Sequence, residues 1–155
     1  MSVLDSGAGM LKSVLGLKVS RATAALPATT QAAIFNINTG RVIVTSLVGS
    51  VTTAIQNQAC TVKVTGNPTA GTDVDLSAVS ASIAAKEVGS IFVLPAAAAT
   101  ALAVGNAGGE RLQIGVGVVL NPGTLDLVTS ATNTGSVKWD ITYVPLDAGA
   151  SITAA

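Results

Sequence analysis

The stretch that decides the fold is NPGTLDLVTSATNTGSVKWDITYVPL, residues 121–146, which holds the only tryptophan and the only tyrosine of the 155-residue chain. Apolar and polar residues alternate on both sides of the Thr-Asn-Thr-Gly sequence at 132–135. A period of two is typical of a β-strand with one buried face, and Asn and Gly are typical turn residues. We therefore predict two antiparallel strands joined in a β-hairpin.

The second strand of this hairpin supplies the candidate core residues. Its apolar face carries Val137, Trp139, Ile141 and Tyr143, opposite a polar face. Burial of one such side chain contributes about 1.5–3 kcal/mol. The chain has only one Trp, one Tyr and two Phe, so we expect Trp139 and Tyr143 to fill the core. An aromatic platform for a ligand is the alternative.

Strand signals recur along the rest of the chain. AIFNI and RVIVTSLVG flank Asn38-Thr39-Gly40, which predicts a hairpin with Gly40 at positive φ. Further strands are predicted in TVKVTG, GTDVDLSA, SIFVLP and LQIGVGVVL, whereas AAAATALAVGNAGGERLQ indicates a short helix or an exposed loop. One-sided alternation is typical of antiparallel sheets. The predicted fold class is all-β: an antiparallel β-sandwich or barrel-like domain over residues 33–155, with an extended N-terminal arm.

Residues 1–32 differ from the rest of the chain in their sequence pattern. They are predicted to form an N-terminal arm and linker. Pro27 favours an extended chain, and the folded domain is expected to begin near Ala33. The apolar residues of the arm are spaced as on one face of a short helix, which its glycines weaken. These residues are the candidate contacts with a partner surface: Leu11, Val14, Leu15 and Val19. The alternative is a frayed terminus that packs loosely on its own domain.

Charge and hydropathy limit the classes of partner. Eight Lys and Arg residues balance eight Asp and Glu residues, only 10% of residues are charged, and 49% are hydrophobic. Because the chain has no net positive charge to attract phosphates, we expect no nucleic-acid partner. We expect no membrane partner either, since no apolar run approaches the ~20 residues of a transmembrane helix. A weakly charged protein tends to associate with copies of itself.

The single cysteine and the N-terminal residues are the parts of the sequence that indicate the cellular compartment in which the protein is made. Cys60 cannot form an internal disulfide, and it lies in ACTVKVTG at a position that Ala or Val could fill. We interpret it as a small buried hydrophobe; a reactive thiol is the alternative, without a histidine to activate it. The first residues lack the order of a signal peptide, so we expect synthesis and release in the cytoplasm.

The residue types that most enzymes and metal sites need are few in this sequence. The chain has no histidine, which excludes Ser-His-Asp and Cys-His nucleophiles and the usual zinc sites. One cysteine excludes an iron–sulfur cluster within one chain. The Gly-rich stretch 105–113 lacks the Lys-Ser/Thr of a phosphate-binding loop and is interpreted as a surface loop. We predict no catalytic, cofactor-binding or metal-binding residues, and a protein that is not an enzyme.

Paired carboxylates are the remaining candidates for chemistry. Asp73 and Asp75 lie two apart on a predicted strand, where they could help to hold Ca²⁺ if other oxygen ligands completed the site. The simpler interpretation is the polar face of an alternating strand. Asp126 and Asp140 could approach each other across the last hairpin, where a surface ion pair involving Lys138 is the ordinary outcome.

Two longer segments resemble a group of small structural proteins from the heads of tailed bacteriophages. They are VTTAIQNQACTVKVTGNPTAGTDVDLSA and NPGTLDLVTSATNTGSVKWDITYVPLDAGASITAA, whose GTDVDL-like, GTLDL-like and TGSVKWDITYVPL-like elements recur in that order. The resemblance covers about residues 34–155. It implies a capsid decoration (cement) protein, a homotrimer on the outer surface of the head that clamps neighbouring major capsid subunits. Residues 1–30 lie outside it, and we expect them to contact the capsid or an adjacent copy.

Three other classes of protein stay open at this point. A tail-tube or other virion protein would also be β-rich and assembly-prone. A bacterial surface adhesin or fibre subunit fits the Ala, Thr, Gly and Val content, but we expect no signal peptide. An enzyme is the least favoured because the residues that usually transfer protons are so few.

Overall fold

The computed structural model describes residues 16–28, 30–97, 100–104 and 117–155. These residues contain eleven strands and no helix, and the strands form two antiparallel sheets that pack face to face around one core. The all-β prediction of an antiparallel sandwich is therefore confirmed. The Gly-rich stretch 105–113 and most of the tract predicted as a short helix or loop lie outside the described residues.

The strands follow one another in the chain as β1 (Leu17–Ala25), β2 (Gln31–Asn38), β3 (Val42–Thr53), β4 (Val62–Pro68), β5 (Val74–Asp75), β6 (Ile91–Val93), β7 (Ala103–Val104), β8 (Val118–Leu120), β9 (Gly123–Thr129), β10 (Ser136–Pro145) and β11 (Ser151–Ala154). The six-stranded sheet has the order β1-β10-β3-β6-β7, and β8 also pairs with β3. The five-stranded sheet has the order β11-β2-β9-β4-β5. The long strands β3 and β10 form the centre of the six-stranded sheet.

The stretch 121–146 forms two strands as predicted, but they are not joined in a hairpin, so the predicted connection is wrong. Strand β9 belongs to the five-stranded sheet and β10 to the six-stranded sheet. The residues between them bond to a segment remote in sequence: Ser130 N donates to Thr61 O, and Gln56 N donates to Thr134 O. The Asn133 side chain also donates to the Gln58 carbonyl. The connection therefore carries the chain from one sheet to the other.

The predicted first hairpin is wrong for the same reason. Strands β2 and β3 are consecutive, but they lie in different sheets. At the corner between them Thr39, with φ of 68°, adopts the left-handed conformation that the sequence predicts for Gly40. Alternation identifies which face of a strand is buried, but it does not identify the neighbouring strand.

The N-terminal prediction also differs from the structure. Residues 17–25 form strand β1 along the edge of β10, where the sequence predicts the end of a helix and a linker. Val19 pairs with Ile141 in this ladder, and Leu26 is buried. The ladder satisfies backbone groups along one edge of β10, whereas a short helix interrupted by glycines is marginal alone. Leu11, Val14 and Leu15 lie outside the described residues.

The core lies between the two sheets and is built around Trp139. All four candidate core residues are buried: Val137, Trp139, Ile141 and Tyr143. In the register of the six-stranded sheet, Gly49 lies between Trp139 on β10 and Phe92 on β6. The two rings meet edge to face with centroids 6.1 Å apart. Gly49 makes this possible, because a Cβ there would lie 2.8 Å from the nearest atom of the indole ring.

Gly49 gives a direct test of this packing. Gly49→Ala places a methyl group against the Trp139 ring, and we expect the free energy of unfolding to fall by about 1–3 kcal/mol, the usual cost of overpacking a core. The measurement is urea unfolding followed by tryptophan fluorescence. Ser50→Ala, at the next position of the same strand, is the matched control and should change stability by no more than about 0.5 kcal/mol. Equal stability of the two variants would contradict a close contact between Gly49 and the indole ring.

Candidate functional site

The described residues contain no group of three or more His, Cys, Asp or Glu side chains that could hold a metal ion. They also contain no helix long and apolar enough to cross a membrane. Cys60 is buried, with its sulfur 3.3 Å from the Ala131 carbonyl oxygen. The features that remain are the carboxylates, the sheet surfaces and the clefts between strands.

Asp75 is held by a lysine on the neighbouring strand. Lys63 Nζ lies 2.8 Å and 2.9 Å from the two carboxylate oxygens, and the Thr65 hydroxyl donates to one of them at 3.0 Å. The hydrogen bond from Lys63 is the main cause that lowers the pKa of Asp75, against a smaller opposing effect of burial. Asp73 is exposed. Asp73 lies just before β5 and Val74 is itself 45% exposed, so the predicted strand with one polar and one buried face is not formed at residues 73–75.

Asp126 and Asp140 do not approach each other as predicted, because β9 and β10 lie in different sheets. Asp140 accepts a hydrogen bond from Ser20 and pairs with Lys18 at 3.2 Å, so that its ion-pair partner is on β1 and is not Lys138. Burial alone would raise the pKa of Asp140, but the contacts with Ser20 and Lys18 outweigh burial and lower it. These contacts tie the edge strand to β10.

Asp126 is a buried carboxyl group on the five-stranded sheet, only 3% exposed. It lies opposite Ala33 on one side and Thr65 on the other. One oxygen accepts hydrogen bonds from the Gln31 amide at 2.7 Å and the Asn67 amide at 3.3 Å. The other oxygen has no hydrogen-bond partner among the described residues. The alternation of residues in the sequence predicted that Asp126 lies on the solvent-exposed face of its strand. Its burial was therefore not predicted.

Two substitutions test whether Asp126 stabilises the fold as a hydrogen-bond acceptor. Asp126→Ala removes the acceptor of two amide groups, and we expect it to lower the free energy of unfolding by about 1–3 kcal/mol. Asp126→Asn keeps an acceptor oxygen for the same amides, so its stability should stay within about 1 kcal/mol of wild type. Asp73→Ala is the control at an exposed aspartate. Urea unfolding measures all three, and an unchanged Asp126→Ala variant would show that this network adds nothing to stability.

An ion pair closes the corner between β3 and the segment after β10. Arg41 binds Asp147 with both guanidinium and backbone donors: Nη2 to Oδ1 at 2.8 Å, Nε to Oδ2 at 3.0 Å, and the backbone N to Oδ2 at 2.8 Å. The side-chain hydrogen bond of Arg41 is the main cause that lowers the pKa of Asp147 to about 2. Because the folded-state pKa lies below the ordinary value of about 3.9, this contact stabilises the fold above about pH 4 and is lost toward pH 2.

The pKa of Asp147 tests this arrangement. In Arg41→Gln the pKa of Asp147 should rise from about 2 toward its ordinary value of about 3.9, because the variant loses the guanidinium charge. Carboxyl titration by NMR measures the change. Lys63→Gln is the matched control, since it should raise the pKa of Asp75 and leave that of Asp147 unchanged. A low pKa of Asp147 that persists in Arg41→Gln would contradict the assignment to Arg41.

One uncharged feature on the outer face of the six-stranded sheet is a group of four residues that we call the apolar band: Ile43, Val119, Val144 and Leu146. Ile43 pairs with Val119 on one side and Val144 on the other, so that the three lie side by side on β8, β3 and β10. They alternate with buried neighbours such as Val42 and Tyr143 and therefore point away from the core. Leu146 follows two residues after Val144.

The apolar band is open to solvent, and the charges beside it are already paired. Val119 is 53% exposed, Leu146 45% and Val144 38%. Arg41 and Asp147 pair with each other at the end of the band where the Leu146 N–H donates to the Arg41 carbonyl. On its other side the Ser46 and Thr142 hydroxyls share a hydrogen bond. The band therefore offers apolar contact area and leaves little unpaired charge to a partner.

A cleft continues the band beyond Val119. Its volume is about 230 Å³, and Val119 and the 45% exposed Val74 both line it. The rest of its wall is uncharged: Ile37, Gly66, Asn67, Pro68, Thr72, Leu120, Asn121 and Thr124. Apolar side chains at the mouth of an uncharged cleft are suited to receive an apolar group of a partner.

The band was not predicted from the sequence, although the sequence contains one signal for it. On the polar face of β10, Lys138, Asp140 and Thr142 are followed by Val144 and then by Leu146. The outward face thus changes from polar to apolar at the end of the strand. The band is recognisable only when the register places Ile43 and Val119 beside Val144.

Comparisons of the chain with protein-family models, with curated proteins and with solved structures found no match. The resemblance to phage head proteins therefore rests on its strand and turn motifs. Those motifs lie in β4, β5, β9 and β10, which belong to both sheets.

Proposed function

We propose that this protein is a structural component of a bacteriophage virion, a capsid decoration protein that binds the outer surface of the head as a homotrimer and stabilises contacts between major capsid subunits. The observation that carries the proposal is the apolar band on the outer face of a two-sheet sandwich. A binding surface on a well-packed sheet keeps its shape when it meets a partner. The resemblance of residues 51–78 and 121–155 to phage head proteins supports the same assignment.

The band suits a protein that binds in many copies. Covering the exposed part of one Val or Leu contributes on the order of 1 kcal/mol, so four such residues give one copy a weak contact. A symmetric shell repeats that contact, and linked copies raise the overall avidity far above the affinity of one. The balanced charge of the chain limits repulsion between neighbouring copies.

Residues 1–15 are the second part of the proposed contact surface. The sequence predicts that Leu11, Val14 and Leu15 contact the capsid or an adjacent copy, and we keep that proposal for them. Val19 belongs to β1 and is half-buried, so it is withdrawn from this group. A deletion that tests the arm should therefore remove residues 1–15 and keep β1.

Cryo-electron microscopy of virions from the source of the gene tests the function. We expect density for this chain on the outer capsid surface at three-fold or quasi-three-fold positions. Density in the tail would overturn the head assignment in favour of a tail-tube protein. Absence from the particle would overturn every virion role and favour an adhesin or fibre subunit.

Deletion of residues 1–15 tests the arm on the capsid. We expect lower occupancy on capsids that lack the protein, because three apolar side chains of the contact are lost, while the unfolding midpoint stays close to that of wild type. Occupancy is measured by co-sedimentation. The full-length control carries Ser6→Ala and Ser13→Ala, which leave the apolar side chains in place. Full occupancy after the deletion would exclude a role of the arm in capsid binding.

A further inference from the structure

We propose that the cleft beside Val119 receives an extended segment of a major capsid subunit, which pairs with the edge of β8 and places one apolar side chain over Val74 and Gly66. The inference rests on the proposed function, because the capsid supplies the segment, and it adds the chemistry of the contact. The bound segment extends the six-stranded sheet by one strand.

The two sheets match strand for strand except at one edge. At the opposite edge β1 lies beside β11, where Arg21 Nε donates to the Ala155 carbonyl at 3.2 Å. After two intervening strands in each sheet, β8 lies over β4, and a Cβ on Gly66 would be 3.3 Å from a methyl carbon of Leu120. The five-stranded sheet continues with β5. In the described part of the chain β8 pairs with β3 alone, and β6 and β7 lie further along β3, so that no strand lies over β5 beside the cleft.

The side chain that this arrangement leaves uncovered is Val74 on β5. It pairs with Gly66, which pairs with Leu125, so the three residues lie on the same face of the sheet. Leu125 is fully buried in the core, but Val74 is 45% exposed. Gly66 adds no side chain to fill the gap, and the cleft lies there. A valine on the core face that stays exposed indicates that the core is incomplete at this edge.

The size and polarity of the cleft match one apolar side chain of a polypeptide. A cavity of about 150 Å³ holds a benzene molecule, whereas sites for small-molecule ligands usually measure about 300–1,000 Å³. The cleft of about 230 Å³ therefore fits one branched aliphatic or aromatic side chain. The described residues that line it carry no charge, which makes it a poor site for a phosphate or carboxylate, because a charge buried without a partner is costly. The edge of β8 that faces away from β3 offers backbone groups to which an added strand can bind.

The apolar band brings the capsid next to this edge. Val119 belongs to both the band and the cleft, so a partner that covers the band also reaches the mouth of the cleft. Apolar burial is not directional, whereas main-chain hydrogen bonds along β8 depend on alignment. The segment therefore gives a fixed orientation to a contact whose area comes from the band.

Protection of a cysteine on the capsid tests the inference. Thr72→Cys, combined with Cys60→Ala, places one thiol in the wall of the cleft. We expect this thiol to react with a maleimide in the free protein, and to react at least tenfold more slowly on capsids, because the segment covers it. Val79→Cys in the same background is the matched control, at a residue that is 55% exposed and does not line the cleft. Its rate should be the same in both states.

Filling the cleft tests the same site by affinity. Val74→Phe puts a ring of the protein's own chain where the side chain of the segment binds. We expect it to bind about tenfold more weakly to capsids that lack the protein, measured by co-sedimentation. Val79→Phe adds the same ring outside the cleft and should bind like wild type.

The outcomes distinguish this inference from the proposed function. Wild-type protein that does not sediment with capsids overturns both. If wild type binds, the inference alone is overturned when Val74→Phe binds equally well, when the thiol at position 72 keeps its rate on capsids, or when both thiols slow equally. A thiol at position 72 that is unreactive in the free protein shows that another part of the chain fills the cleft, which also overturns it. If Val74→Phe does not fold, the thiol rates decide.

Discussion

The packing of Trp139 against Gly49 and Phe92 is the interaction on which the rest of the structure depends. The indole ring packs against Gly49, the only glycine of β3, which lies between β10 and β6 at that position. Further along the same pair of strands, the register shifts between Thr142 and Tyr143, and beyond that shift Ile43 and Val144 pair and turn outward together. The core contact and the apolar band therefore lie on the same pair of strands, one on each side of the register shift.

The sequence was sufficient for the class of fold and for the buried face of β10, because both follow from a period of two. Val137, Trp139, Ile141 and Tyr143 could be placed in the interior without any knowledge of their neighbours. Strand pairing was not predictable in this way. In the stretch 130–135 the backbone bonds to residues 56–61 decide that the chain crosses between sheets, and those bonds join segments about seventy residues apart.

Residues 17–25 show how tertiary contacts override local pattern. The spacing of Val14, Leu15 and Val19 fits a helix, but the edge of β10 offers a ladder of hydrogen bonds, and Ser20 and Lys18 add contacts to Asp140. A ladder of this kind outweighs a helical preference of a few tenths of a kcal/mol per residue. The band was not predicted for a related reason, since its members come from β3, β8, the end of β10 and the residue that follows β10, and no single segment contains more than two of them.

The charge distribution determines what kind of binding the band can support. Arg41 with Asp147 and Lys18 with Asp140 form ion pairs within the chain on this sheet. A partner that covers the band therefore gains mainly from apolar burial, and such binding carries a negative heat-capacity change and depends little on salt. An encounter guided by charge would depend strongly on salt. Because apolar burial is not directional, orientation on the partner has to come from the shape of the sheet and from the cleft beside Val119, and both are fixed by the alignment of β3 with its neighbours.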